Sequence, residues 1–176
     1  MIYVFFAPGF EETEAVGTLD MLRRAELEVR SVGIGGKTVT GSHGITVVCD
    51  LAESEISLPD IKGVVLPGGM PGTLNLEKSQ AVQAAINYAA ARDILICAIC
   101  AAPSILGNLG LFKGKRFTCF PGFEQRIEGE YTANRVERDG NFITAKGSGC
   151  TIAFAVEIIR ALLGDQAAHK VEVNLQ

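Results

Sequence analysis

The chain has little from which to build a metal site. Only two histidines, His43 and His169, occur among 176 residues, and no His-Glu-x-x-His run is present. This argues against a zinc hydrolase, because such enzymes commonly draw two or three imidazoles onto one ion. A Gly-x-Ser-x-Gly elbow and a Walker loop are also missing. Gly33-Ile34-Gly35-Gly36 lacks the spacing of a dinucleotide loop and reads as a turn. No metal and no cofactor is expected. No apolar run reaches the ~18 residues of a membrane span. The start, Met1 to Phe6, lacks the basic flank of a signal peptide and reads as a core strand. The net charge is −4 and no basic patch is interleaved with aromatics, which argues against nucleic acid as a partner. Cysteines number five, Cys49, Cys97, Cys100, Cys119 and Cys150. An odd count without a secretion signal points to reduced thiols and a cytoplasmic location. With 48% apolar residues over 176 positions, a single domain spanning residues 1–176 is expected to bury a full core.

What is present centres on residues 94 to 103, Ile-Leu-Ile-Cys-Ala-Ile-Cys-Ala-Ala-Pro. The branched apolar stretch reads as a buried strand. Small residues follow, and Pro103 suits a first helical turn. Strand, abrupt turn and helix lift one side chain to the ligand edge of a sheet, and here it is the Cys100 thiol. The N–H groups and dipole of the following helix are expected to lower its pKa. The bland alternative is a small buried hydrophobe. Cys97 and Cys100 form a C-x-x-C spacing, but three strand residues span roughly 10 Å. A disulfide needs Cα atoms within about 7 Å, so a redox pair is not expected.

The rest of the chain alternates strands with helices. Residues 1–7 form a first strand, and Pro8-Gly9 ends it. A helix from Glu11 to about Ala25 follows, with acids in its first turn and Arg23-Arg24 in its last. Strand two covers 27–34, and Thr38–Thr40 with Ile45–Cys49 make a hairpin. Gly63–Leu66 is a strand, and Ser79–Arg92 a helix with Val82, Ile86 and Ala89 on one face. Beyond the Cys100 segment and its helix to about Leu109, Arg116–Phe120 precedes an irregular acidic stretch. Asn134–Arg138 and Phe142–Ala145 flank Asp139-Gly140, a hairpin signal. Gly147-Ser148-Gly149 opens a last long helix with Ile152, Val156, Ile159 and Leu163 as its core stripe. Gly164 ends that helix, and a short amphipathic tail carries His169. The alternation predicts a doubly wound, mostly parallel α/β sheet. Its ligand edge gathers the turns at 8–14, 67–72, 100–103 and 147–149.

A thiolate needs a partner. Glu11, Glu12 and Glu14 all follow strand one, and each also serves as a helix N-terminal acid. One of them, buried and protonated, would donate to the sulfur; spacing does not choose among the three. Gly68 and Gly69 let backbone N–H groups approach a reacting centre as an oxyanion hole, or simply make a turn. Gly147 and Gly149 offer the same pair of readings.

Four ordered blocks, Ala7-Pro8-Gly9-Phe10-Glu11-Glu12-Thr13-Glu14-Ala15, Leu66-Pro67-Gly68-Gly69, Ala98-Ile99-Cys100-Ala101-Ala102-Pro103 and Gly147-Ser148-Gly149, resemble the signature of the ThiJ/PfpI superfamily. The similarity extends over essentially the whole chain. It is closest to the branch of the parkinsonism-associated deglycase and its bacterial relatives. The resemblance implies a flavodoxin-like three-layer sandwich that pairs as a homodimer. It puts Cys100 at the nucleophilic, oxidation-prone cysteine and Glu14 at the acid that bonds it. Gly69, with Gly68 and Ala101 beside it, falls on the oxyanion-side backbone. The implied activities are glutathione-independent glyoxalase, deglycation of methylglyoxal or glyoxal adducts, chaperone action and peroxide sensing.

One departure stands out. Phe120, in Phe117-Thr118-Cys119-Phe120-Pro121, occupies a position where some members have histidine. A Cys–His general base is therefore missing, which argues against the superfamily's protease chemistry. His43 matches an arginine in related chains and is expected near a partner subunit's pocket. Cys119 is a candidate to condense with oxidised Cys100. The enzyme reading has Cys100 adding to a small aldehyde while Glu14 moves protons. The alternative is a sensor or redox-regulated chaperone switched by oxidation of Cys100.

Overall fold

Buried apolar strands build the central sheet of the computed structural model, which describes residues 1–175. In chain order the strands are β1 (Ile2–Phe6), β2 (Val29–Gly33), β3 (Thr38–Thr40), β4 (Thr46–Val48), β5 (Leu51–Ala52) and β6 (Gly63–Leu66). They continue as β7 (Leu95–Ile99), β8 (Arg116–Phe117), β9 (Glu130–Tyr131), β10 (Val136–Asp139) and β11 (Phe142–Ala145). The helices are α1 (Glu12–Arg24), α2 (Gly72–Lys78), α3 (Gln80–Ala90), α4 (Pro103–Asn108), α5 (Thr151–Leu163) and α6 (Asp165–Val173). Seven strands pair in the order β10-β11-β7-β6-β1-β2-β5. All neighbours run parallel except β10 and β11.

Side chains alternate between the two faces of this sheet, as a pleated backbone requires. Val4, Phe6, Cys97, Ile99, Ile143 and Ala145 meet α1, α5 and α6 on one side. Tyr3, Phe5, Ile96 and Ala98 meet α2, α3 and α4 on the other. The result is the helix–sheet–helix layering expected of a doubly wound protein. The chain leaves β1 toward β2 in one direction, then returns to build β6, β7 and β11 on the other side. The direction reverses between β1 and β6, and a crevice opens beyond their carboxyl ends.

Local chemistry explains most elements. Glu11 caps α1 by accepting the Glu14 N–H at 2.7 Å, while Arg23 and Arg24 close its last turn. Ser79 caps α3, accepting from the Val82 N–H, and Val82, Ile86 and Ala89 are all buried. The β3–β4 hairpin pairs Thr38 with Val48 and Thr40 with Thr46 in a separate two-stranded sheet.

Other expectations need correction. The buried face of α5 carries Phe154, Ala155, Val156, Ile158 and Ile159, whereas Ile152 and Leu163 are 45% and 48% exposed. The tail with His169 is a nine-residue helix, α6. The turn at 67–72 leads into a helix, α2, over Gly72–Lys78, for which the sequence pattern gave no signal. The second strand of the late hairpin is where it was expected, but its first, β10, begins at Val136 rather than Asn134.

Candidate active site

Cys100 follows β7 directly and adopts φ +64°. A side chain in this left-handed region costs about 1 kcal/mol. The surroundings hold it there: its N–H donates to the Ala145 carbonyl at 2.9 Å and its carbonyl accepts the Phe120 N–H at 2.8 Å. The thiol is half-buried.

Glu14 reaches the thiol from the first turn of α1 and is 1% exposed. Its Oε2 accepts the Gly68 N–H at 2.8 Å. Its Oε1 has no hydrogen-bond partner, and the carboxyl lies close enough to the thiol for each to shift the other's titration. Burial pushes the carboxyl up to about 7 against the pull of the Gly68 N–H, and the Glu11 charge adds to the rise.

The thiol is not lowered as expected from the helix. Burial, then the Glu14 charge and its hydrogen bond, push it up to about 12. The helix after it, α4, has only six residues, too short for much of a dipole. The groups that do favour the thiolate are the backbone N–H groups of Ala101 and Gly69. Two adjacent buried acids cannot both ionise cheaply. The pair therefore holds two protons in the acidic range and gives up the first near neutrality, leaving one proton shared as thiol and carboxylate or as thiolate and carboxylic acid.

The glycines divide their work. Gly69 has φ +90°, and a Cβ there would lie 2.4 Å from the Glu11 nitrogen. Its N–H faces the sulfur. Gly68 differs from expectation: its N–H is taken by Glu14. A Cβ at Gly68 would come 2.6 Å from the Cys100 Cβ, so its lack of a side chain is what lets the acid and the thiol meet. Gly147 packs against Phe120, and Ser148 and Gly149 are exposed.

Neither histidine bonds Cys100. His169 is exposed on α6, and the His43 side chain is 72% exposed. Its Nδ1 lies 2.8 Å from Glu12 Oε2, and this bond, then the Glu12 charge, raises its pKa. Glu12 also accepts the His43 N–H at 2.6 Å and the Ser42 hydroxyl at 3.2 Å. Burial would raise the Glu12 carboxyl, but the bonds from His43 outweigh it and bring the group to about 2. Glu12 is thus a clamp on the β3–β4 turn, a role its position in an acidic run did not reveal. Glu12→Ala is expected to leave N–H groups unpaired and cost about 1–3 kcal/mol. Denaturant unfolding, with faster hydrogen exchange confined to residues 41–45, is the check.

Glu11, Glu12 and His43 place one donor atom each within 4.8 Å of one another. A cation there would have to displace bonds already made to Glu14, His43 and Ser42. Cys119 packs in the core opposite the one Cys100 borders. Its thiol lies 4.0 Å from Glu124, and burial and that acid push it up to about 12. A Cys119–Cys100 condensation therefore gains no support from the packing.

The fold and this site define an α/β sandwich protein with a thiol at a strained strand-to-helix elbow, set against a buried acid. The DJ-1/PfpI family model matches residues 1–161. Protein dj-1beta of Drosophila melanogaster is 33% identical, covering 98% of this chain and 94% of its own. A deglycase of Pyrococcus abyssi is 27% identical, over 92% of this chain and 98% of its own. The structure of oxidized DJ-1 from Toxoplasma gondii is 31% identical and superposes with a TM-score of 0.94, over 99% of this chain and 96% of that one. The chain belongs to the DJ-1/PfpI family.

Proposed function

We propose that this chain is a cysteine-dependent enzyme for small reactive carbonyls, converting methylglyoxal to lactate without glutathione and removing early methylglyoxal or glyoxal adducts. The observation that carries this reading is the Cys100 thiol on its left-handed elbow with the buried Glu14 carboxyl beside it across Gly68. The Cys100 sulfur bonds to the aldehyde carbon as the C=O π bond breaks, and Glu14 relays the thiol proton to the carbonyl oxygen, giving the hydroxyl of a hemithioacetal and leaving Glu14 as a carboxylate. Glu14 then moves a proton from that carbon to its neighbour through an enediol. The aldehyde carbon is oxidised to a thioester while the ketone carbon is reduced to an alcohol. Water cleaves the thioester, releasing lactate and restoring the thiol. The redox change is internal, so the balance needs no metal and no cofactor. The N–H groups of Gly69 and Ala101 flank the sulfur, where an oxyanion would develop. The Pyrococcus relative, named a deglycase, supports the substrate class.

The test is loss of methylglyoxal and appearance of lactate in the reduced protein without glutathione. Lactate formation at a rate proportional to protein supports the reading; its absence would move the assignment to oxidation sensing. That second reading is favoured by the same N–H groups, which suit a Cys100 sulfinate, and by the oxidized state of the Toxoplasma relative. Intact-mass and peptide analysis after mild peroxide checks it, and prior oxidation of Cys49 or Cys119 would sink it. We also infer a homodimer acting in a reducing cytoplasm. Val16 on α1 and Ile152 on α5 are 40% and 45% exposed, beside the close approach of Gly17 to Thr151. Sedimentation is expected to give twice the 18.7 kDa chain mass.

A further inference from the structure

Phe120 is a half-exposed ring fixed beside the elbow. Its N–H donates to the Cys100 carbonyl at 2.8 Å, and its own carbonyl accepts the Phe123 N–H at 3.1 Å. The side chain is 48% exposed. It lies against Gly147, where a Cβ would stand 3.4 Å from its Cδ2. The Phe123 ring meets it nearly edge-on, with centroids 6.4 Å apart. An aromatic ring left half in water forgoes burial it would otherwise gain. Here the turn at Phe120–Phe123 and the bare backbone of Gly147 keep the pair at the surface instead.

Around the sulfur the other directions are occupied. Glu14 is buried on one side, and the backbone of Gly68 crowds the Cys100 Cβ. The N–H groups of Gly69 and Ala101 take the place where a carbonyl oxygen would sit. Phe120, tied through its N–H to the Cys100 carbonyl and half-exposed, is the large apolar side chain at hand for a substituent on a carbonyl carbon bonded to the sulfur.

We propose that Phe120, backed by Phe123, is the specificity wall of the site and selects α-oxoaldehydes with an apolar, above all aromatic, substituent over glyoxal. The inference rests on the carbonyl-enzyme reading. An aromatic substituent gains both burial and edge-to-face contact from such a wall, while glyoxal, with only hydrogen on each carbonyl, gains neither.

The test compares kcat/KM for phenylglyoxal and for glyoxal in the wild type, Phe120→Ala and Phe120→Leu. Phe120→Ala is expected to lower the phenylglyoxal-to-glyoxal ratio about tenfold, and Phe120→Leu to restore part of it. A parallel measurement does not need turnover: alkylation of Cys100 by N-benzyl iodoacetamide against iodoacetamide, read by peptide mass. The benzyl reagent is expected to lose its relative rate in Phe120→Ala. Ratios left unchanged by Phe120→Ala in both measurements overturn the inference while leaving the carbonyl reading intact. Absence of turnover on both aldehydes by the wild type overturns the carbonyl reading, and the alkylation ratio then decides the wall alone.

Discussion

Cys100→Ser is expected to bring methylglyoxal turnover down to the uncatalysed background, a loss on the order of a thousandfold or more, because a serine hydroxyl beside Glu14 is a far weaker nucleophile. Stability should barely change, since the hydroxyl fits the space of the thiol and the elbow keeps its φ of +64°. Cys100→Gly separates the two properties further. It removes the nucleophile but also relieves the left-handed backbone, so the variant is expected to be inactive and about 1 kcal/mol more stable. Glu14→Gln completes the set. Without a group to carry the proton, turnover should fall by about two to four orders of magnitude, while iodoacetamide still alkylates Cys100. Full activity in Cys100→Ser would falsify the mechanism, whatever the other variants do.

The same acid makes the site a cost to the fold. Glu14 ordinarily titrates near 4.5, and in the folded chain near 7. A group raised in this way stabilises the fold while protonated; the contribution is whole below the ordinary value and is lost as pH rises through the folded one. The gap between 4.5 and about 7 corresponds to roughly 3 kcal/mol. Glu14→Gln keeps an acceptor for the Gly68 N–H and cannot ionise. It is therefore expected to match the wild type near pH 4 and to exceed it by up to about 3 kcal/mol at pH 8. Denaturant unfolding of both proteins across that range is the measurement. Glu12, brought down to about 2, and His43 titrate alike in both proteins, so their difference isolates Glu14. A difference that stays flat with pH would show that Glu14 is solvated in the native state.

The legible parts of the molecule are those written in local periodicity. The all-apolar runs of β1 and β7, the capped α1 and α3, and the turn at Asp139-Gly140 each carry their own signal, and all appear within a few residues of where the pattern puts them. The misread parts depend on what lies next to them. Ile152 and Leu163 have the right spacing for a core stripe, yet α5 turns Phe154 and Ile158 inward and leaves both in solvent. The segment carrying His169 reads as a short amphipathic tail, but Ala168 and Val171 seat it against the core as the helix α6.

By itself the sequence determined the α/β class and the presence of a thiol at a strand-to-helix turn, because hydrophobic period, glycine and proline act over a few residues; the family came from the resemblance of its four motif blocks. The protonation of the pair could only come from the tertiary structure. Burial of Glu14, the Gly68 N–H from a distant strand end and the approach of Gly69 all join segments far apart in the chain. Electrostatic cost depends on what surrounds a charge, not on its neighbours in sequence. For that reason three glutamates in one short run became a helix cap at Glu11, a hairpin clamp at Glu12 and a buried carboxyl beside the thiol at Glu14.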